Sequence, residues 1–415
     1  MKFLSKKPVR TFPHIKTTDA EKILALCKKE KIDLIDIGQE DAIEIGITNV
    51  LINHGFSVVG PTKEAGQIEW DKAYARNFMV KYHIPHPKFF VFHSQTKGIA
   101  FLKKQPTHKK WFVKASGLAQ GKGALPGENS LEAIHRVKEL SRFGKAGKTY
   151  LIEEWIEGEE FSLFAITDGS SFQILGAAQD HKQAFNFDQG ENTGGMGCVS
   201  PPLMMNAAIL AYIKKHIVAK TIQGLALENR TYKGILYVGG IIDATGNVLV
   251  IEFNARWGDP EAQVILPSLQ TDLFELGNAV SHGNLDNINI KTDSKTRIVV
   301  TASSKGYPQD YSAAKGKRIF GIELLANLDN VTIYPAGIRV KRNLMFTNGG
   351  RLFYIVGTGE NVLEAKSNAY GALSVIFVAG NNLHYRTDIG WKDVSRAFTK
   401  KKNVLGYNYG SVEKT

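Results

Sequence analysis

The sequence predicts an α/β protein built from more than one domain, and three observations carry that reading. Strand and helix signals alternate between Thr18 and Gly60, the pattern of a parallel α/β unit. The length, 415 residues, exceeds one core, since a domain typically takes ~150 residues. From about Arg297 onward, β-branched runs and Gly/Pro turns replace the helical period, which points to a β-rich C-terminal domain. No internal repeat is visible.

Taken in order, residues 20 to 30 form a helix with Ile23, Leu24, Leu26 and Cys27 on its apolar side. Asp33 to Gly38 is a short buried strand, Asp41 to His54 a second helix, and Ser57 to Val59 a strand closed by Gly60-Pro61. Ligands of parallel sheets sit at the carboxyl ends of the strands, where Gly38-Gln39-Glu40 falls. A helix follows over Asp71 to His83, ending before Ile84-Pro85. A small α/β lobe is expected at about 88 to 154, a helix near Ala207 to Glu228, and a C-terminal strand at IVVTAS after Arg297. The boundaries predicted are 1–69, 70–294 and 295–395, with a basic polar tail over 396–415.

Composition limits the function classes. With 43% apolar residues and 40 glycines the chain can build real cores, and no apolar run approaches the ~18 to 20 residues of a membrane span. The N-terminus MKFLSKKPVRTFPHIK lacks the apolar stretch and cleavage site of a signal peptide. Only Cys27 and Cys198 are present, so neither a disulfide framework nor a cysteine metal pattern arises. A cytoplasmic protein is expected. The net charge of +12 (52 basic minus 40 acidic residues) raises nucleic-acid binding, yet the basic residues are scattered and not interleaved with aromatics. The dense run Lys400 to Lys402 reads as a solvated tail. Excess positive potential also suits a site for small anionic substrates.

Three segments carry chemistry. VLVIEFNARWGDPEAQV (248–264) ends an apolar strand with Glu252, Asn254 and Arg256, which share one face if the strand stays extended. Glu252 and Asn254 offer hard oxygen ligands for Mg²⁺ (or Mn²⁺), and Arg256 a bidentate fork for carboxylate or phosphate; a solvated strand end is the alternative. KASGLAQGKGA (114–124) supplies Gly117, Gly121 and Gly123 with Lys114 and Lys122, the makings of a flap over a triphosphate, or of a plain turn. No Ser or Thr follows Lys122, so it is not a P-loop. AQDHKQAFNFDQGENTGGMGCVSPP (178–202) gathers Asp180, His181 and Lys182 before a Gly-Gly-Met-Gly turn, in a binding loop or a surface loop.

These segments, with GPTKEAGQIEWDKAYARNFMVKYHIPHP (60–87), LIEEWIEGEEFSLFAITDG (151–169), GILYVGG (234–240), TNGGR (347–351) and HYRTDIGW (384–391), resemble the phosphoribosylamine-glycine ligase family of the ATP-grasp superfamily. The resemblance runs in order from about Thr18 to Trp391, and QDHK with NTGGMG and EFNARWGDPE is its specific part. It implies an ATP-grasp fold and ATP-dependent joining of glycine to 5-phosphoribosylamine through a glycyl phosphate, in purine biosynthesis. An ATP-grasp ligase with another acceptor is the second reading. ATP and Mg²⁺ or Mn²⁺ are the implied cofactors; the partners are small molecules, with no nucleic acid or membrane, in a monomer or weak dimer.

The site residues follow. Lys72, Lys114, Lys122 and Gly117, Gly121 and Gly123 are expected on the nucleotide phosphates, Glu153, Glu154 and Ile156 beside the adenine, and Glu160 on the ribose. Arg256 and Lys182 are assigned to the reacting carboxylate or phosphosugar, and Asp180 and His181 to orienting the second substrate, with a structural role for His181 equally open. Glu40, Asn192, Thr193, Gly194, Gly195, Met196 and Asp259 complete the substrate side. Three departures stand out. The family's Gly-Gly-Arg-Glu loop is not found before Thr18, so a truncated N-terminal domain is expected; Ser116 replaces an Asp of the flap; Gln39 replaces a Pro. The phosphosugar side is thereby expected to be weakened.

Overall fold

The computed structural model describes residues 9–119, 122–325 and 328–405, with side chains up to residue 399. Gly121 therefore lies outside the described residues, as do the side chains of Lys400, Lys401 and Lys402. The structure has a mixed α/β architecture with β-rich C-terminal sheets.

In the N-terminal lobe the strands Leu34–Asp36 and Ser57–Val59 pair in parallel, as the alternation of signals requires. The first helix, Ala20–Glu30, starts at Asp19, whose carboxylate accepts from the Lys22 N–H at 3.2 Å. The predicted helix Asp41 to His54 is two helices, Glu40–Ile45 and Ile47–Asn53. Gly46 separates them at φ +88°, a left-handed conformation that closes the first helix. A helix not foreseen, Lys63–Trp70, precedes Lys72–Lys81, and Asp71 caps the latter.

The small lobe has its own antiparallel sheet, ordered Phe89–Phe92, Tyr150–Glu154, Trp111–Ala115, Ala124–Gly127. Trp111, Val113, Tyr150 and Ile152 are buried there against Leu102 and Val137 from the covering helices. Among the described residues the large sheet has nine strands, eight in one path and Leu383–His384 paired beside Thr296–Ser304. It runs from Val248–Asn254 through Gly234–Asp243, Gly158–Thr167 and Phe172–Asp180 to Gly197–Ser200. It continues without a break into Thr296–Ser304, Arg351–Gly359 and Val331–Pro335. The C-terminal β-rich region thus shares a sheet with the central one. Between Ala207 and Leu227 the helix is continuous but changes to a π turn at Lys214–Val218. Among the described residues no helix is long and apolar enough to cross a membrane.

Candidate active site

The edge strand Val248–Asn254 positions the centre of the site. Its ladder with Gly234–Asp243 shifts register between Gly239 and Gly240, which face Glu252 and Val250, so Ile251 is an extra residue on its strand. The bulge reverses the alternation. Val248 and Val250 point into the core before it and Phe253 after it, leaving Glu252 and Asn254 on the cleft side. The strand ends at Asn254, so the expected face of three residues does not extend to Arg256.

Arg256 turns instead toward the N-terminal lobe. Its Nε donates to Glu40 Oε2 at 3.0 Å, another nitrogen lies 3.6 Å from Glu69, and a third donates to the Trp257 carbonyl at 2.9 Å. Glu69 is buried, and its Oε2 accepts from the Ala255 N–H at 2.8 Å. Burial raises the Glu69 carboxyl to about 7, and the nearby Arg256 charge only partly opposes this. Trp257 donates its indole N–H to Asp36, so the end of the first parallel strand is tied to the same loop.

A pocket opens above Glu252, walled by Glu160, Ser162, Asp180, Lys182 and Tyr237. Lys182 lines it, and the charges of Lys72 and Lys114 also act on Glu252; each of the three lysines is held by a carboxylate. Lys72 lies 3.2 Å from Glu252, Lys182 2.8 Å from Glu160, and Lys114 2.6 Å from Glu153. Burial pushes the Glu252 carboxyl up, but Lys72, Lys182 and Lys114 outweigh it and hold the group well below the usual carboxylate range. Glu160 is the main reason Lys182 stays firmly charged, against the opposing effect of burial. Glu252 is thus an ionised oxygen donor, with the Asn254 amide two residues along on the same face. This donor set suits a hard cation that takes one or two protein oxygens and completes its shell from water and phosphate. Among the described residues no cluster of three or more His, Cys, Asp or Glu side chains could hold a metal alone.

Several expected site residues have partners within the chain. Glu153 offers no free carboxylate to a ligand, because Arg76 grips it at 2.6 and 3.0 Å and Lys114 takes its second oxygen. Burial raises Glu153, but these two cations bring it down to about 2. The buried Arg76 also donates to the carbonyls of Val250 and Ile251, bracing the bulge. Glu154 is paired with Lys109 at 2.7 Å, and Ile156 is half-buried just after the strand. In the glycine segment, the Gly117 N–H donates to the Ala146 carbonyl and the Gly123 carbonyl accepts from the Ala115 N–H, while Lys122 is exposed.

His181 is 2% exposed, and the chain occupies both its nitrogens: Nε2 accepts from the Gly390 N–H at 3.0 Å and Nδ1 faces Asp188 at 3.6 Å. Both nitrogens thus face groups of the chain, Nε2 in a hydrogen bond and Nδ1 toward a carboxylate. The Met196 side chain is fully buried in the C-terminal core. Asn192 is exposed on the strand Gln189–Asn192. Thr193 closes the loop, its N–H and hydroxyl both donating to the Lys182 carbonyl at 2.7 and 2.8 Å. Gly195 sits at φ +108°, and a Cβ there would meet Pro260 at 2.4 Å, so a glycine is required beside the Asp259-Pro260 turn. Asp259 receives Arg351 at 3.0 Å and the Tyr354 hydroxyl at 3.1 Å, and Arg351 also donates to the Gly194 carbonyl at 2.5 Å.

Sequence reasoning missed Glu261, Tyr237 and Ser162. Glu261 is buried and accepts from Tyr237 at 2.8 Å and Ser162 at 3.0 Å. Burial, then the nearby Glu261, pushes the Asp180 carboxyl well up. The only sequence signals were places within quoted segments: EFNARWGDPE for Glu261, and GPTKEAGQIEWDKAYARNFMVKYHIPHP for Glu69 and Arg76.

Comparisons with known proteins agree with this architecture. The ATP-grasp (A) domain model of phosphoribosylglycinamide synthetase matches residues 70–262, the C domain model residues 297–392, and the N domain model residues 6–69. The phosphoribosylamine-glycine ligase of Chlorobaculum tepidum is 37% identical over 388 residues, 92% of this chain and 89% of that protein. A trifunctional purine biosynthetic protein, adenosine-3, of Drosophila pseudoobscura pseudoobscura is 38% identical over 90% of this chain, which spans only 27% of that longer protein. The crystal structure of the phosphoribosylamine-glycine ligase of Thermotoga maritima superimposes with a TM-score of 0.70 at 31% identity, covering 80% of this chain and 81% of that one.

Proposed function

This chain belongs to the phosphoribosylglycinamide synthetase family, and we propose that it joins glycine to 5-phosphoribosylamine at the expense of ATP, releasing ADP, phosphate and glycinamide ribonucleotide. The observation that carries this reading is the ring of lysine–carboxylate pairs around the pocket at Glu252, with Arg256 facing the N-terminal lobe. Each lysine is fixed by its carboxylate partner, so a polyanion entering the pocket finds oriented donors and needs little reorganisation.

The chemistry asks the protein for positioning. A glycine carboxylate oxygen attacks the γ-phosphorus of ATP and ADP leaves; the sugar amine then attacks the acyl carbon, phosphate leaves, and the amine gives up a proton. Lys72 and Lys114 exchange their carboxylate partners for phosphate oxygens, with Lys122, Gly117 and Gly123 beside them. The segment Ile152 to Ile156 receives the adenine through its backbone, and Glu160 the ribose. Glu252 and Asn254 would hold Mg²⁺ or Mn²⁺, which spreads the negative charge developing on the transferred phosphoryl group. Arg256 takes an anionic group of glycine or the phosphosugar once Glu40 and Glu69 yield it, with Lys182 opposite. Asp180, whose carboxyl is pushed well up by burial and then by the nearby Glu261, faces the pocket. Glu40, Asn192, Thr193, Gly194, Gly195 and Asp259 flank the acceptor. A monomer or weak dimer working in the cytoplasm with small molecules alone completes the reading.

The test uses the purified chain with ATP, Mg²⁺ and glycine. Hydroxylamine should trap a glycine hydroxamate, and freshly made phosphoribosylamine should divert the acyl group to glycinamide ribonucleotide. ADP release that ignores glycine, or that another amino acid supports better, would rule the assignment out.

A further inference from the structure

The largest buried charge outside the pocket is Arg386, at 0% exposure in the C-terminal region. Its Nε and one terminal nitrogen grip Asp388 at 2.8 and 2.7 Å. The other terminal nitrogen reaches Asp188 at 2.9 Å and the Gln183 carbonyl at 3.2 Å. Asp388 in turn accepts from the Phe187 N–H at 2.7 Å, and Thr387 exchanges hydrogen bonds with the Asn186 side chain. The hairpin 183–192 is therefore clasped along its length by residues 384–390.

That hairpin needs the clasp. Phe187 and Asp188 both lie at positive φ, +58° and +55°, a conformation costly for side chains of their size, and Phe187 is 72% exposed. Nothing in the hairpin's own packing explains why the chain accepts that strain. The consequence lies next door: Asp188 faces His181 Nδ1 at 3.6 Å, while His181 Nε2 accepts from the Gly390 N–H. With Nε2 accepting, the ring proton sits on Nδ1, directed at Asp188. His181 lies between Asp180 and Lys182, which line the pocket, and both ends of the clasp close on it.

We propose that Arg386 is a positioning residue for the acceptor side of the cleft, acting through Asp188 and His181 to fix where Lys182 and Asp180 stand. The side chains facing His181 in this assembly are Asp188, Asp388 and Arg386, with Lys392 beside Asp188 at 3.8 Å. A guanidinium is required because two carboxylates and a carbonyl are served at once by one planar group; an ammonium cannot hold the bidentate grip on Asp388 and still reach Asp188. Among the described residues no hydrogen bond or ion pair joins Lys72, Lys114 or the small lobe to Arg386, Asp188, Asp388 or His181; the link to the nucleotide side is the Lys182–Glu160 pair. The inference rests on the ligase reading of the pocket for its kinetic half only.

The test has two arms. In the unaltered protein, ¹⁵N shifts of the His181 ring, assigned by loss of the signal in His181→Asn, should report a neutral imidazole protonated on Nδ1. An Nε2-protonated or rapidly exchanging ring overturns the proposal whatever the enzyme does. In the second arm, Arg386→Lys should raise the KM for the amine acceptor about tenfold or lower kcat by that factor while leaving the KM for ATP within about twofold. Asp388→Asn, a milder change that preserves shape, should move the same parameters in the same direction and serves where Arg386→Lys does not fold. Equal losses for ATP and acceptor, or a lowered melting temperature with unchanged kinetics, would reduce Arg386 to a structural residue and refute the proposal. If the unaltered chain forms no glycinamide ribonucleotide, the ligase reading fails and the ring measurement still decides the clasp.

Discussion

Glu252 is held ionised by Lys72 at 3.2 Å and by the charges of Lys182 and Lys114, so its chemistry is that of a fixed anion in the pocket. Glu252→Gln keeps the shape and removes the charge. The ligation rate should fall by about a hundredfold or more at saturating ATP and Mg²⁺, the scale on which loss of a charge-stabilising group is felt. A rate within a few-fold of the parent would end its assignment as a metal ligand. Glu69 behaves in the opposite sense, because burial raises it from 4.5 to about 7. Between those values the folded chain binds more protons than the unfolded one. Its contribution to stability is therefore full below about 4.5 and is lost as the pH rises through about 7. Urea melts across that window should show this falling component, and Glu69→Gln should flatten it. An identical pH dependence in the variant would mean that Arg256 already keeps Glu69 ionised in the folded state.

The strand that carries Glu252 was legible as a strand, because Val248 and Val250 alternate and a polar run follows. Its bulge at Ile251 was not, since an extra residue in a ladder depends on the partner strand and on the Arg76 side chain that braces it from a distant helix. For the same reason Glu252 and Asn254 were placed correctly on one face while Arg256 was not: periodicity gives no strand end. The flap departure at Ser116 has a local explanation. Ser116 Oγ donates to Asp71 at 2.8 Å and accepts from the Ala73 N–H at 2.9 Å, so Asp71 and Ser116 together cap the helix that begins at Lys72. Restoring the acid alone, Ser116→Asp, sets two carboxylates against each other. It should cost about 1 to 3 kcal/mol and weaken ATP binding through Lys72. Adding Asp71→Ser should recover most of both, because one acid and one hydroxyl are again present. A double variant no better than Ser116→Asp alone would show that the pair does not act as a unit.

At the scale of the molecule, a sequence boundary near residue 295 suggested that the C-terminal region is separate, because composition changes there. Hydrogen bonding does not respect that change. Gly197–Ser200 pairs on one side with Phe172–Asp180 and on the other with Thr296–Ser304, so the sheet crosses the boundary strand by strand. Removing residues 297–392 would leave Gly197–Ser200 as an open edge and uncover Val199, Met196 and Cys198, all fully buried. Arg351 and Arg386 add polar ties from the same region to Asp259 and to Asp188. The small lobe differs: it has its own sheet and core, and reaches the helix Lys72–Lys81 and its cap through the Arg76–Glu153 pair and through Ser116 with Asp71, Lys72 and Ala73. Amides of Gly197–Ser200 and Thr296–Ser304 should therefore lose protection from hydrogen exchange together, with one denaturant dependence, while those of Trp111–Ala115 open independently and with a shallower slope. If Thr296–Ser304 opened at lower denaturant than Gly197–Ser200, the C-terminal region would be a separate folding unit that only docks on the sheet, and the continuity of that sheet would carry no cooperativity.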